Sequence, residues 1–226
     1  MTQRSLEQIP LCDGTGLRLT VATPESAVRG GIVVEPDVGG VTDDVWQLAA
    51  GLAGEGWLAV IPDLFHCDDI DELPAGGATA RRHLERLTET SVHADTDAAL
   101  RWLARRRVAA DQMGVVGFGL GGAAALIVAT KRDLGAAVTI GGIGAVEPVA
   151  AGLPALVDVA AELRCPWLGI YDQDGDVPEA EVTKLRDAAH SAHVATDLVH
   201  CSFHTDQSVA SEAWGRTLNW FGSHLR

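Results

Sequence analysis

The sequence predicts an α/β fold in which a mostly parallel central sheet lies between two layers of helices, as a three-layer sandwich. Short apolar segments rich in β-branched residues alternate with longer segments of helical periodicity, a pattern typical of repeated βαβ units. Hydrophobic residues make up 47% of the 226 positions and charged residues 21%, as in globular proteins with a large core. We expect one domain that spans residues 1–226.

The first half of the chain contains three predicted strands, each followed by a predicted helix. Residues 31–35, 57–61 and 113–117 are the apolar segments that predict buried strands. The helix predicted over residues 42–55 has Thr42 or Asp43 as its N-cap. Ser91 is the predicted cap of a second helix that ends near Arg106. A third helix, over residues 120–131, consists of small residues and begins in a run of glycines.

The second half continues the alternation. Residues 135–140, 166–171 and 194–199 predict three further strands. The helix predicted over residues 178–191 has proline in its first turn, where the missing N–H does no harm. A terminal helix is predicted over residues 206–224, because five apolar residues recur there at helical spacing. They are Val209, Ala213, Trp214, Leu218 and Phe221.

The charge balance limits the partners that this chain can bind. Seventeen Lys and Arg residues face 31 Asp and Glu residues, which gives a formal net charge of -14. The resulting field repels phosphate backbones and anionic lipid headgroups, so we expect neither a nucleic-acid nor a membrane partner. The longest apolar run, residues 123–129, is far shorter than the roughly 20 residues of a membrane-spanning helix. With no signal-peptide pattern and scattered cysteines, the sequence predicts a cytoplasmic protein.

Chemically reactive side chains follow several of the predicted strands, and a glycine-rich turn follows another. The loops after these strands carry Glu35, His66, Gly119, Asp174 and His204. Because the carboxyl ends of parallel strands meet at one edge of a sheet, we expect these loops to form one site. The last three residues occur in the order nucleophile position, acid and histidine that α/β hydrolases use. The segment Gly117-Phe118-Gly119-Leu120-Gly121-Gly122 lies between a strand and a helix, where a nucleophile elbow belongs.

Four segments of the sequence resemble the dienelactone hydrolase family. They are Val34-Glu35-Pro36-Asp37-Val38-Gly39-Gly40, Ile61-Pro62-Asp63-Leu64-Phe65, the glycine-rich elbow, and Asp172-Gln173-Asp174-Gly175-Asp176-Val177-Pro178. The resemblance extends from about Gly30 to the C-terminus. It implies the α/β-hydrolase fold and a hydrolase that needs no cofactor and acts on a small-molecule substrate.

The same resemblance implies roles for individual residues. Asp174 matches the acid of the catalytic triad, His204 its base, and Glu35 the glutamate of the pocket. The expected substrate contacts are His66, Phe118 and Arg81, or Arg82 in place of Arg81.

Each of these roles has an alternative from the residues themselves. Asp172 or Asp176 competes with Asp174, and either of these two could instead cap the following helix. His204 could be a surface histidine, and Glu35 could form a salt bridge.

The sequence departs from the family at the centre of the elbow, where Gly119 stands in place of a cysteine or serine. Glycine has no side chain and cannot form an acyl-enzyme. The backbone N–H of Leu120 can still donate to an oxyanion, with a second donor near Asp37 or Val38. Glycine is also at ease in the positive-φ conformation of a tight turn, which is the structural alternative for this position. Cys67 or Cys201 would be a replacement nucleophile.

Two classes of function fit this pattern. In the first, which we favour, the protein is an enzyme acting on a small lactone, ester or related carbonyl compound, with His204 as base and Asp174 as its orienting acid. Hydrolysis by activated water, elimination, isomerisation and cyclisation all fit a base without a covalent nucleophile. In the second, the protein is a non-catalytic relative that binds a small molecule or serves as a scaffold. Deliberate replacement of residue 119 would give the same sequence.

No metal ion or cofactor is expected. The segments His66-Cys67-Asp68 and His200-Cys201 contain ligand types that zinc accepts, but their spacing is not that of a dedicated site. The oligomeric state is left open between a monomer and a homodimer.

Overall fold

The computed structural model of the protein describes residues 2–11, 14–64, 84–173, 175–201 and 207–226, the side chains of the last segment from Glu212 onward. Within these segments, eight strands form one sheet in the order β1-β2-β4-β3-β5-β6-β7-β8. They are β1 (Gln3–Pro10), β2 (Gly16–Thr23), β3 (Gly30–Glu35), β4 (Trp57–Pro62), β5 (Met113–Phe118), β6 (Ala136–Ile140), β7 (Trp167–Asp172) and β8 (Thr196–Cys201).

The sheet is parallel from β4 through β3 to β8, and only the β1–β2 hairpin adds antiparallel pairs. The strand order reverses at β3, which pairs with β4 on one side and with β5 on the other. At such a reversal the connections leave toward opposite faces and open a crevice at the carboxyl ends of the strands. The crevice predicted from this topology therefore lies between the ends of β3 and β5.

Helices cover both faces of the sheet, as predicted for three layers. They are α1 (Asp43–Gly54), α2 (Glu89–Arg105), α3 (Gly119–Lys131), α4 (Leu156–Val159), α5 (Glu179–Ala189) and α6 (Gln207–His224). Apolar residues of α2, α3 and α5 join one core cluster, and those of α1 and α6 join the other. Alternate residues of the central strands contribute to the two clusters, since successive side chains of a strand point to opposite faces.

Among the described helices, α3 is the most deeply buried. Every residue from Leu120 to Thr130 is buried, so the helix is apolar on all sides. This explains why its sequence lacks an amphipathic pattern, since a helix without a solvent face needs none.

The structure differs from the sequence predictions in the first strands, in the short helix α4, which was not predicted, and in several boundaries. The hairpin of β1 and β2 was not predicted. The strand β1 is an edge strand with mostly exposed and polar residues, and the apolar residues of the largely buried β2 are interrupted by Arg18 and Thr20. The helix α2 is capped by Thr88, whose hydroxyl accepts the Ser91 N–H, so Ser91 is the third residue of the helix and not its cap. The strand β8 ends at Cys201, two residues beyond the predicted 199. No helix in the described segments is both long and apolar enough to cross a membrane.

Candidate active site

The elbow has the predicted strand, turn and helix. The strand β5 ends at Phe118 and α3 begins at Gly119, with no loop between them. Gly119 has a φ of +51°, in the left-handed region that side chains disfavour. The positive φ is therefore a structural reason for a glycine at this position.

Two further glycines allow the elbow to pack against the end of β3. A Cβ at Gly121 would lie 2.1 Å from the carbonyl oxygen of Glu35, and a Cβ at Gly117 would lie 2.3 Å from the carbonyl carbon of Gly121. Contacts this short do not occur between real atoms, so only glycine fits at either position. The result is a tight junction of β3, β5 and α3 at the crevice.

The carboxylate of Asp37 lies directly on the elbow. Its Oδ1 accepts the backbone N–H of Leu120 at 2.9 Å. Leu120 is the donor that the sequence predicts for an oxyanion, so in this structure that donor is engaged by Asp37. The second backbone donor near Asp37 or Val38 stays a prediction, and the Asp37 side chain lies at the elbow as an acceptor.

A cleft of about 320 Å³ opens beside the elbow. Its described wall consists of Asp37, Val38, Gly119, Gly141, Ile143, Tyr171, Asp172, Gly175, Asp176 and Val177. The charged side chains in this described wall are all carboxylates. This part of the cleft therefore favours a neutral or cationic group of a ligand over an anionic one.

Tyr171 is a cleft residue that the sequence patterns did not indicate. It is buried, and its hydroxyl donates to the carbonyl oxygen of Gly142 at 3.2 Å. Burial raises the pKa of the phenol above its usual value, which keeps it protonated. Tyr171 lies at the carboxyl end of β7, and Gly141 directly follows β6. This position at the end of a parallel strand is the sequence signal that could have indicated both residues as part of the site.

Glu35 ends β3 and is fully buried. The hydroxyl of Thr96, on α2, donates to Glu35 Oε1 at 2.8 Å, whereas Oε2 has no hydrogen-bond partner among the described residues. Burial raises the pKa of this carboxyl to about 7, although the hydrogen bond from Thr96 acts in the opposite direction. Glu35 is not among the described residues that line the cleft, and its described partner is a hydroxyl and not a basic side chain.

Phe118 is the residue before the first turn of α3, and its side chain packs against the core cluster under α1 and α6. It does not contribute to the described wall of the cleft. Its role in substrate binding stays a prediction.

The predicted triad and several predicted contacts lie outside the described residues. These residues are His66, Cys67, Arg81, Arg82, Asp174 and His204. The two alternative acids, Asp172 and Asp176, are described, and both line the cleft. The cleft thus lies beside the segment that contains Asp174, while the roles of Asp174 and His204 stay predictions.

Cys201 is a poor candidate for a replacement nucleophile. It is buried at the end of β8 and is absent from the described wall of the cleft. Burial, with the nearby Glu212 as a second cause, raises the pKa of its thiol and so disfavours the reactive thiolate. In the described part of the chain, no three His, Cys, Asp or Glu side chains are grouped so that they could hold a metal ion.

Comparison with known proteins relates the sequence of this chain to one family. The model of the dienelactone hydrolase family matches residues 17–225. The carboxymethylenebutenolidase of Rhodococcus opacus is 27% identical over 220 residues, which cover 86% of this chain and 81% of that protein. A Bradyrhizobium protein named a probable 2-oxo-3-(5-oxofuran-2-ylidene)propanoate lactonase is 30% identical over 220 residues, covering 86% of this chain and 84% of the other. A crystal structure from Klebsiella pneumoniae has a TM-score of 0.88 at 24% identity, covering 98% of this chain and 99% of that chain.

Proposed function

Because this chain belongs to the dienelactone hydrolase family, we propose that it is an enzyme that acts on a small lactone, ester or related carbonyl compound without forming an acyl-enzyme. The observation that carries the proposal is an elbow that keeps its strand, turn and helix beside a cleft while its central residue is Gly119. Residue 119 has no side chain, but the strand, the turn and the helix around it are present. The reaction must therefore use water or a substrate proton where relatives with a nucleophile use a covalent bond.

In the proposed mechanism, His204 is the general base and Asp174 orients it. For hydrolysis, His204 takes a proton from a water molecule whose oxygen attacks the carbonyl carbon, and later returns the proton to the leaving alkoxide. For elimination, isomerisation or cyclisation, the same imidazole takes a proton from carbon or oxygen of the substrate. An imidazole suits these roles because it gains and loses protons near neutral pH.

The volume and the charge of the cleft favour a small and uncharged reacting group. Its volume of about 320 Å³ is at the lower end of the range of roughly 300–1,000 Å³ for small-molecule sites. The carboxylates of Asp37, Asp172 and Asp176 would repel an anion placed next to them. We infer that the lactone or ester carbonyl, and not a carboxylate of the substrate, binds beside these residues.

A non-catalytic binding protein is the second candidate function. The observation that favours it is the hydrogen bond from Leu120 to Asp37, which occupies the donor that an oxyanion would need. A protein of this kind would bind a small molecule in the same cleft and release it unchanged.

Turnover of a panel of small lactones and activated esters, combined with the intact mass of the protein during turnover, separates these candidates. An enzyme without an acyl-enzyme consumes at least one compound above the uncatalysed rate while its mass stays unchanged. Consumption with a mass increase would reveal a covalent nucleophile and contradict the proposal. Binding by calorimetry with no consumption of any compound would support the binding protein.

A further inference from the structure

The Asp37 carboxylate fills the space in which the side chain of a nucleophile would lie. A Cβ on residue 119 would be 2.7 Å from Asp37 Oδ1, 3.0 Å from its Cγ and 3.1 Å from its Oδ2. Real Cβ atoms are essentially never found at the shortest of these distances. A side chain at residue 119 would therefore require the Asp37 carboxylate to move from this position.

Backbone hydrogen bonds hold Asp37 in this position. Its carbonyl oxygen accepts the N–H of Gly40 at 2.8 Å, which closes a tight turn over residues 37–40. Its Oδ1 accepts the N–H of Leu120, in the first turn of the 13-residue helix α3. The N-terminal end of a helix stabilises a negative charge. The carboxylate is thus fixed by the turn on one side and by the helix on the other.

The Asp37 side chain remains accessible from the cleft. It is half-buried, and both Asp37 and Gly119 belong to the cleft wall. A carboxylate oxygen has several acceptor positions, and the Leu120 N–H uses only one on Oδ1. The remaining acceptor positions can receive a hydrogen from a water molecule in the cleft.

We propose that Asp37 is a catalytic residue that holds the attacking water at the place of the missing nucleophile, an inference that rests on the proposed function. The water donates one hydrogen to the Asp37 carboxylate and gives its other proton to His204. Its oxygen forms the bond to the carbonyl carbon, and the carbonyl π electrons move to the carbonyl oxygen. When this adduct collapses, the bond to the leaving oxygen breaks, and the leaving alkoxide takes the proton back from His204.

Asp37→Asn tests this role, because the amide oxygen can still accept the Leu120 N–H while the amide nitrogen presents donors where water needs an acceptor. We expect kcat for the lactone or ester to fall on the order of 10²-fold, the loss typical of a misplaced reactant, with KM and the melting temperature nearly unchanged. The matched control is Asp158→Asn, which changes the same group at an exposed position on α4 and should leave kcat unchanged. In Asp37→Ala, added formate should restore part of the rate, because it can occupy the vacated carboxylate position.

The outcomes separate this inference from the proposed function. Wild-type turnover that is lost in His204→Ala but kept in Asp37→Asn would overturn the role of Asp37 and leave the proposed function intact. If Asp37→Asn lowers kcat only because part of the protein is unfolded, as a lower melting temperature would show, then Asp37 has a structural role alone. That result would also overturn the proposed role of Asp37. No turnover in the wild type would contradict the proposed function and this inference together.

Discussion

The burial of Glu35 makes the stability of the fold depend on pH below neutrality. Its carboxyl is fully buried with one described partner, the hydroxyl of Thr96, and its pKa is raised from its usual 4.5 to about 7. Between these two pH values the folded protein keeps a proton on Glu35 that the unfolded chain has already lost. Stability therefore falls as the pH rises from 4.5 to about 7 and then levels off, because the folded state binds more protons in that window.

Glu35→Gln should remove this pH dependence, since an amide does not ionise. The gain in the free energy of unfolding over the wild type should be small near pH 5 and approach roughly 3 kcal/mol above pH 7. Urea unfolding at pH 5, 6, 7 and 8 measures the difference. A difference that is the same at all four pH values would contradict the assignment.

Thr96→Val is the matched variant for Glu35. It removes the hydrogen bond that favours the ionised carboxyl, so the pKa of Glu35 should rise further and the pH-dependent loss of stability should extend to higher pH. An unchanged pH dependence would show that the hydrogen bond does not act on this carboxyl.

Restoring a nucleophile at residue 119 should require a second change. Gly119→Cys alone places its Cβ 2.7 Å from the Asp37 carboxylate, so we expect little esterase activity from it. The double variant Asp37→Ala/Gly119→Cys removes that contact and frees the Leu120 N–H, and its thiol at a helix N-terminus should ionise readily. We expect at least roughly tenfold more hydrolysis of a small activated ester than from Gly119→Cys, because the freed N–H can again stabilise the oxyanion. A folded double variant without this gain would contradict our assignment of the elbow.

At the scale of helices and strands, the sequence patterns predicted the parallel part of the sheet well. Buried strands such as β3 and β5 have continuous apolar segments, and α1 has a clear apolar face with Thr42 as its cap. The exposed edge strand β1 has no apolar segment to detect, and the buried strand β2 was missed because Arg18 and Thr20 interrupt its apolar residues. Continuous apolar segments thus predict the central strands, and miss both an exposed edge strand and a buried strand whose apolar residues alternate with polar ones.

Glycines at the start and in the middle of a helix should respond oppositely to alanine. Gly119→Ala, at the start of α3, meets a positive φ and the Asp37 carboxylate, so we expect a loss of about 1–2 kcal/mol in the free energy of unfolding. Gly215→Ala, within α6, meets no atom within 4 Å and should gain about 0.5–1 kcal/mol from helix propensity. Urea unfolding of both variants checks the contrast, and equal effects of the two substitutions would contradict it.

For the molecule as a whole, topology made the location of the site predictable and three-dimensional packing set its details. The rule that reactive groups follow parallel strands led to Glu35, Gly119 and the Asp172–Asp176 segment. The same rule could not show that the Asp37 carboxylate lies on the elbow. That contact joins residues 83 positions apart and depends on the turn after β3 and the close approach of α3.

The turnover of a small lactone by the wild type and by His204→Ala is the most direct test of the central claim, proton-transfer catalysis on a carbonyl substrate without a covalent nucleophile. We predict that the wild type turns over the lactone and that the substitution lowers kcat by roughly 10²–10⁴-fold, the usual contribution of a positioned base. Calorimetry should show nearly unchanged binding of the lactone to the variant. Equal turnover in both proteins would contradict the claim, because the reaction would then proceed without its central base.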